Sequence, residues 1–208
     1  MFLMSLSVFI FALFGALLDF QLERPVFLRE QANQLYSVTP YYLAKSLIDM
    51  PVLILTPLLQ LSIVYWVIGY QSGYERFGMV YLALMLTAQA GAGIGLMISA
   101  LSSNINQVTA IAFSVTMPLN LFGGFMVNPK TTFVWLSWIQ WISPIRYCFA
   151  CFCIAEWGNT PNKFVYEVVL GFGTRVGYWD CIIALALLAL GFRIISIIGL
   201  KLNIQKFQ

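Results

Sequence analysis

The chain has 208 residues, of which 61% are hydrophobic and only 9% are charged, with a formal net charge of +3 and no histidine. An ordinary soluble domain carries roughly 25% charged residues, and a compact fold of this size exposes too many side chains to hide so much apolar surface from water. A soluble enzyme is therefore excluded, as is a nucleic-acid binder with a concentrated basic footprint, and the lack of histidine removes the commonest general base and metal ligand.

The pattern predicts an all-α fold, a polytopic membrane helix bundle with about five transmembrane spans, each about 20 apolar residues long. The first span covers residues 1–22 and carries no charge before Asp19. A signal peptide is the competing reading, but the stretch lacks a basic leading region and a small-residue cleavage site. Residues 23–40 follow as an amphipathic connecting helix lying along the membrane surface. Pro25 suits a first helical turn, and Leu28, Ala32 and Leu35 recur at helical spacing among Arg29, Glu30, Asn33 and Gln34. A solvated loop is the alternative there. Further spans are predicted at 45–69, with Asp49 near one end and Pro51 and Pro57 inside, at 77–101 and at 107–127.

Residues 130–155 differ in character. Trp135, Trp138 and Trp141 stand three apart and share a helical face, and indoles favour the membrane–water interface. Ser143-Pro144 then breaks the helix and Arg146 follows. A re-entrant segment that dips in and returns fits better than a sixth crossing. An outer loop at 156–177 leads to a last span at 178–201, with Arg193 within a turn or two of its end. Five crossings place the termini on opposite sides. If 23–40 is cytoplasmic, that side carries Arg24, Arg29, Lys45, Lys201 and Lys206, and the other side Arg76, Lys130, Arg146, Lys163 and Arg175. With the basic residues so evenly divided, the positive-inside rule does not orient the chain.

Gly91-x-x-x-Gly95 followed by Ser99 puts small residues on one face, which suits close helix packing. The run from Ala90 to Gly95 (AGAGIG) lies inside a membrane span and is no nucleotide loop. Gln89 and Asn120 are polar at depth, where a side chain must hydrogen-bond or line a cavity. Pro118, Gly123 and Gly124 suggest a bendable fourth span, suited to a gate or to plain packing. Cys148, Cys151 and Cys153 cluster without a histidine or acidic ligand, so no metal site is expected. The outer loop holds no cysteine for a bracing disulfide and no glycosylation acceptor. No G-x-x-x-x-G-K-[ST] phosphate loop occurs anywhere, so the chain is not expected to bind and hydrolyse ATP by itself.

Two runs, ERPVFLREQANQLYSVTPYYLAKSLIDMP (Glu23–Pro51) and GGFMVNPKTTFVWLSWIQWISPIRYCFACFCIAEW (Gly123–Trp157), resemble the white-type, or G-subfamily, ABC half-transporters. Over nearly the whole chain the order of parts resembles the C-terminal part of that family's transmembrane domain, from the second span to the sixth. The resemblance implies the permease portion of an ATP-driven exporter of lipids, sterols or other hydrophobic or amphipathic molecules. Besides the lipid bilayer and a hydrophobic substrate, it implies two protein partners: an ABC ATPase domain that supplies ATP and Mg, and a second half-transporter in a homo- or heterodimer. No nucleic acid is expected as a partner. The resemblance further implies that Phe11, Phe113, Met117 and Asn120 line a substrate cavity, that Phe125 and Met126 form a hydrophobic valve, and that Arg29 and Glu30 couple the spans to the ATPase. The family's ATPase domain, its first span and part of its second are not in the sequence. Met1 is thus expected to mark a truncation, or the chain is a partial half-transporter that binds or regulates a full-length partner without transporting. The expected location is multi-pass in the plasma membrane or an internal membrane.

Overall fold

A computed structural model of the chain describes residues 1–33, 35–70, 73–101, 104–126, 136–157 and 177–205. Among these residues there are seven helices and no strand: α1 (Phe2–Ala32), α2 (Val38–Ile68), α3 (Tyr74–Leu101), α4 (Ile105–Leu121), α5 (Ser137–Ile142), α6 (Pro144–Trp157) and α7 (Tyr178–Gln205).

The buried stripe of α1 explains its length of 31 residues. Leu13, Leu17, Phe20, Arg24, Phe27 and Gln31 are all buried and alternate by four and three, so one face stays against the bundle. The stripe continues through Pro25, which removes only one backbone hydrogen bond. The connecting helix expected at 23–40 is therefore not separate from the first span: residues 23–32 prolong α1. The chain then turns, with the Asn33 amide donating to the Arg29 carbonyl (3.2 Å) and the Leu35 amide to the Glu30 carbonyl (3.3 Å). Its successor α2 begins at Val38 rather than at residue 45, and stops at Gly69, whose left-handed φ of 72° suits a residue without Cβ.

Small residues make α3 the central helix. A Cβ on Gly91 would lie 2.8 Å from the Phe9 carbonyl oxygen, and one on Gly95 would lie 2.2 Å from that of Leu13. One turn on, Ser99 Oγ donates to the Leu17 carbonyl (3.0 Å), and Gln21 Nε2 donates to both Ser99 Oγ (2.9 Å) and the Ser99 carbonyl (3.0 Å). The Gly91–Ser99 face is thus the seam with α1. Gly93, on the other side, lets Phe192 of α7 approach, its Cβ only 3.1 Å from where a Gly93 Cβ would be.

Four helices, α1, α2, α3 and α7, are long and apolar enough to cross a membrane. Along α2, Leu47, Val52, Leu59, Ile63 and Trp66 are exposed on the outside. Such a continuous apolar surface would drive aggregation in water and is the ordinary face of a helix in lipid. The chain is an integral, multi-pass membrane protein. The segment expected to cross at 107–127 forms α4, whose 17 residues give roughly 26 Å of helix at 1.5 Å per residue, short of a hydrocarbon core of about 30 Å, so four rather than five of the described helices meet the length of a span. Helix α4 ends in a bend at Phe122–Met126, where Gly124 has φ 91°.

The aromatic segment forms a broken pair, α5 then α6, of 6 and 14 residues. Neither alone reaches across a hydrocarbon core of about 30 Å. Arg146 Nη1 donates to Gln140 Oε1 (2.8 Å), the guanidinium lies 5.3 Å from the centre of the Trp141 ring, and the Tyr147 hydroxyl donates to the Trp141 carbonyl (3.1 Å). These contacts bridge the break, and α6 is buried against α1, α3 and α7. Trp135 and most of the expected outer loop lie outside the described residues. All four cysteines are free and buried, and the described residues contain no group of three or more potential metal ligands. Arg193 is placed differently from expectation. Helix α7 runs on to Gln205, so Arg193 sits at mid-helix, where Nη2 donates to Gln89 Oε1.

Candidate functional site

The long helices fix which side chains remain unpacked. On α4, Val108, Ala112, Thr116 and Leu119 are buried, so Phe113 and Met117, four apart, point away from the bundle at 58% and 62% exposure. Phe14 of α1 meets Phe113 with ring centroids 5.0 Å apart, which joins the open faces of α1 and α4 into one apolar surface. At the end of α4 the bend turns Phe125 onto Phe2 (5.0 Å, stacked) and, edge-on, Phe149 (6.1 Å). Phe125 and Met126 remain 64% and 61% exposed. Phe113 and Phe125 thus each meet a phenylalanine of α1.

Phe11 is 68% exposed and lines a cavity of about 230 Å³ among α1, α2 and α3. Asn120 is half-buried, and its Oδ1 has no hydrogen-bond partner among the described residues. Its carbonyl accepts from the Gly123 amide (3.0 Å). That early closure leaves the preceding Leu119 carbonyl without a helical partner, and the buried Ser143 hydroxyl donates to it at 2.8 Å. The bend at the end of α4 is in this way tied to the α5–α6 break. A second cavity of about 350 Å³ opens among α3, α4, α5 and α7, lined by Pro118, Trp138 and Phe192 among others.

At the opposite end of the bundle, Arg29 is exposed and Glu30 half-buried on the last turn of α1. Glu30 accepts from the Tyr36 hydroxyl, and Gln31 Nε2 donates to the Tyr36 carbonyl (3.0 Å), so the turn between α1 and α2 is a fixed corner. Burial, followed by the hydrogen bond to Glu30 and that carboxylate's charge, pushes the Tyr36 phenol up to about 12. Just inside the corner, the buried Lys45 ammonium reaches Glu23 (2.7 Å) and Asp49 (3.6 Å), and the Tyr41 hydroxyl donates to Glu23 (3.2 Å).

Sequence reasoning singled out Gln89 but not its partners, Arg193 and Met50, and it missed Phe2 and Phe14 as the aromatic mates of Phe125 and Phe113. A signal existed for the polar set: ionisable residues within apolar spans demand partners at the same depth. The aromatic mates left no such mark among 17 phenylalanines. The small-residue run of α3 is not a cradle for a nucleotide. The glycines of Ala90–Gly95 are helical and pressed on α1 and α7, whereas a phosphate loop must present free backbone amides.

The sequence pattern of the ABC-2 type transporter family matches residues 1–157. The chain is 29% identical to Protein white of Ceratitis capitata, covering 93% of this chain and 30% of that protein. It is 29% identical to ABC transporter G family member 1 of Dictyostelium discoideum, covering 86% of this chain and 25% of that protein. Against the broad substrate specificity ATP-binding cassette transporter of Bos taurus it is also 29% identical, with 89% and 31% covered. The chain thus spans less than a third of the length of these relatives. Its apolar helices, its bent α4 and the match over most of its length place it in one group: the chain belongs to the ABC-2 type transporter family.

Proposed function

We propose that the chain is the permease portion of an ATP-driven exporter of hydrophobic or amphipathic molecules, with lipids and sterols among the candidate substrates. The observation that carries this reading is the Phe14–Phe113 contact, which joins α1 and α4 into one apolar face beside Met117, with Phe125 and Met126 following at the end of α4. Two copies of the domain facing each other across that surface would enclose an apolar, aromatic-lined chamber, the usual form of a site for a greasy ligand. In this reading Phe11, Phe113, Met117 and Asn120 line the chamber, and Phe125 and Met126 close its outer end. The relatives' names support ATP as the energy source. The nucleotide and Mg would be bound by a separate ATPase domain, whose closure Arg29 and Glu30 would receive at the α1–α2 corner.

The test is ATP-dependent accumulation of lipophilic fluorophores in inside-out vesicles that contain the chain joined to an ATPase domain of its family. Replacing Phe125 and Met126 together by alanine should change the rate at least several-fold, with protein level and ATPase coupling controlled. Unchanged transport would remove the valve. Absence of any ATP-dependent accumulation, with the chain recovered only in complex with a complete transporter, would favour a non-transporting partner protein.

A further inference from the structure

The cavity among α1, α2 and α3 meets the open face of α1 at Phe11 and has its own chemistry. Val8, Phe11, Leu53, Pro57 and Ala92 supply apolar walls around about 230 Å³, and Asp19 and Asp49 stand at one end. For scale, an aliphatic cavity of about 150 Å³ admits benzene, so this one takes a substituted ring or a folded alkyl chain. The two carboxylates differ. Asp49 lies 3.6 Å from Lys45, which also holds Glu23. Asp19 makes no hydrogen bond or ion pair among the described residues; it is exposed at the cavity mouth, within electrostatic reach of Lys45 and Asp49. Arg24, the nearest cation along α1, is five residues on, about 140° round the helix at 3.6 residues per turn, and is buried on the bundle side. Around the cavity mouth Asp19, Glu23 and Asp49 therefore outnumber Lys45. That surplus of negative charge at one end of an apolar cavity favours a cation there.

We propose that this groove binds lipophilic primary amines: the ammonium group pairs with Asp19 while the apolar body fills the space between Phe11 and Pro57. A neutral alcohol of the same shape gains only the apolar part, and a fatty acid is repelled by the surplus of carboxylates. The selectivity for amines over alcohols rests on Asp19, and the capacity for either rests on the void beside Gly15, which also lines the cavity and has no heavy atom within 4 Å of an added Cβ.

The experiment is photolabelling of the full chain in phosphatidylcholine nanodiscs with diazirine-bearing dodecylamine, and separately with dodecanol carrying the same diazirine, followed by peptide mapping. The amine should label the α1 and α2 segments around Val8–Asp19 and Asp49–Pro57 about tenfold more than the alcohol, a factor of one contact's size. Asp19→Asn should bring the amine down to the alcohol's level, and Asp19→Glu should restore it. Gly15→Leu should abolish labelling there by both probes, and its open surroundings let the helix pack unchanged, as thermal unfolding in micelles will report. Equal labelling by amine and alcohol, labelling indifferent to Asp19→Asn, or labelling that persists with Gly15→Leu would each overturn the proposal. The readout needs no transport, so it fails or succeeds independently of the exporter reading.

Discussion

Single residues in this molecule are constrained mainly by proximity to backbone. Gly95 sits so near α1 that any side chain collides with the Leu13 carbonyl, the added Cβ lying 2.2 Å from its oxygen. Gly95→Ala should destabilise the α1–α3 seam by at least the roughly 1–3 kcal/mol typical of overpacking, read as a lower unfolding temperature in detergent micelles. Gly191→Ala, with nothing within 4 Å, should be neutral or slightly stabilising, since alanine is the better helix former. Equal effects at both positions would contradict the packing account. The glycine spacing was visible in the sequence, and its reading as helix contact was sound because small residues four apart in an apolar span have few other uses. Tyr36 is a different case, legible only after folding. Its raised value, about 12 against an ordinary 10.0, means that the folded corner prefers the neutral phenol. Its contribution to stability is full below pH 10 and is lost as pH rises through about 12. The phenolate absorbance difference between the native chain and Tyr36→Phe should titrate near 12, and Glu30→Gln should lower that value. Titration at the ordinary value in both backgrounds would show that the corner is open.

The elements depart from expectation where a breaker residue is outvoted by burial. Pro25 invited a helix start, yet the stripe from Leu13 to Gln31 carries α1 past it, because each turn buries a side chain and the proline forfeits one hydrogen bond. At Ser143-Pro144 nothing outvotes the break, and the sequence reading of an interrupted aromatic segment matches the α5–α6 pair. What the sequence could not reveal is the tie between that break and the end of α4, since Ser143 and Leu119 are 24 residues apart. Ser143→Ala leaves a buried carbonyl unpaired, which costs about 1–3 kcal/mol. It should also loosen the bend that presents Phe125 and Met126. Faster hydrogen exchange at the α4 terminus, with α1 and α3 unaffected, is the expected signature; uniform exchange would assign the bend to the glycines alone.

Over the whole molecule, composition alone pointed to a membrane bundle, because so few charges leave no other way to cover the surface. Which helix is central was not legible, since α1, α2, α3 and α7 are all long and apolar and only the small residues of α3 permit contact on both sides. Of the candidate site, the resemblance named the residues, but the cavity that Phe11 lines follows from the packing of α2, which no local pattern encodes. The central claim is that the α1–α4 surface faces a second transporter half. It is tested most directly by cross-linking single-cysteine substitutions with a short bismaleimide in native membranes, the four natural cysteines being buried. Met117→Cys should give a covalently linked pair of subunits, and Trp66→Cys, on the outer face of α2, should give none. Linkage through Trp66→Cys but not through Met117→Cys would place lipid against the α1–α4 surface and contradict the account.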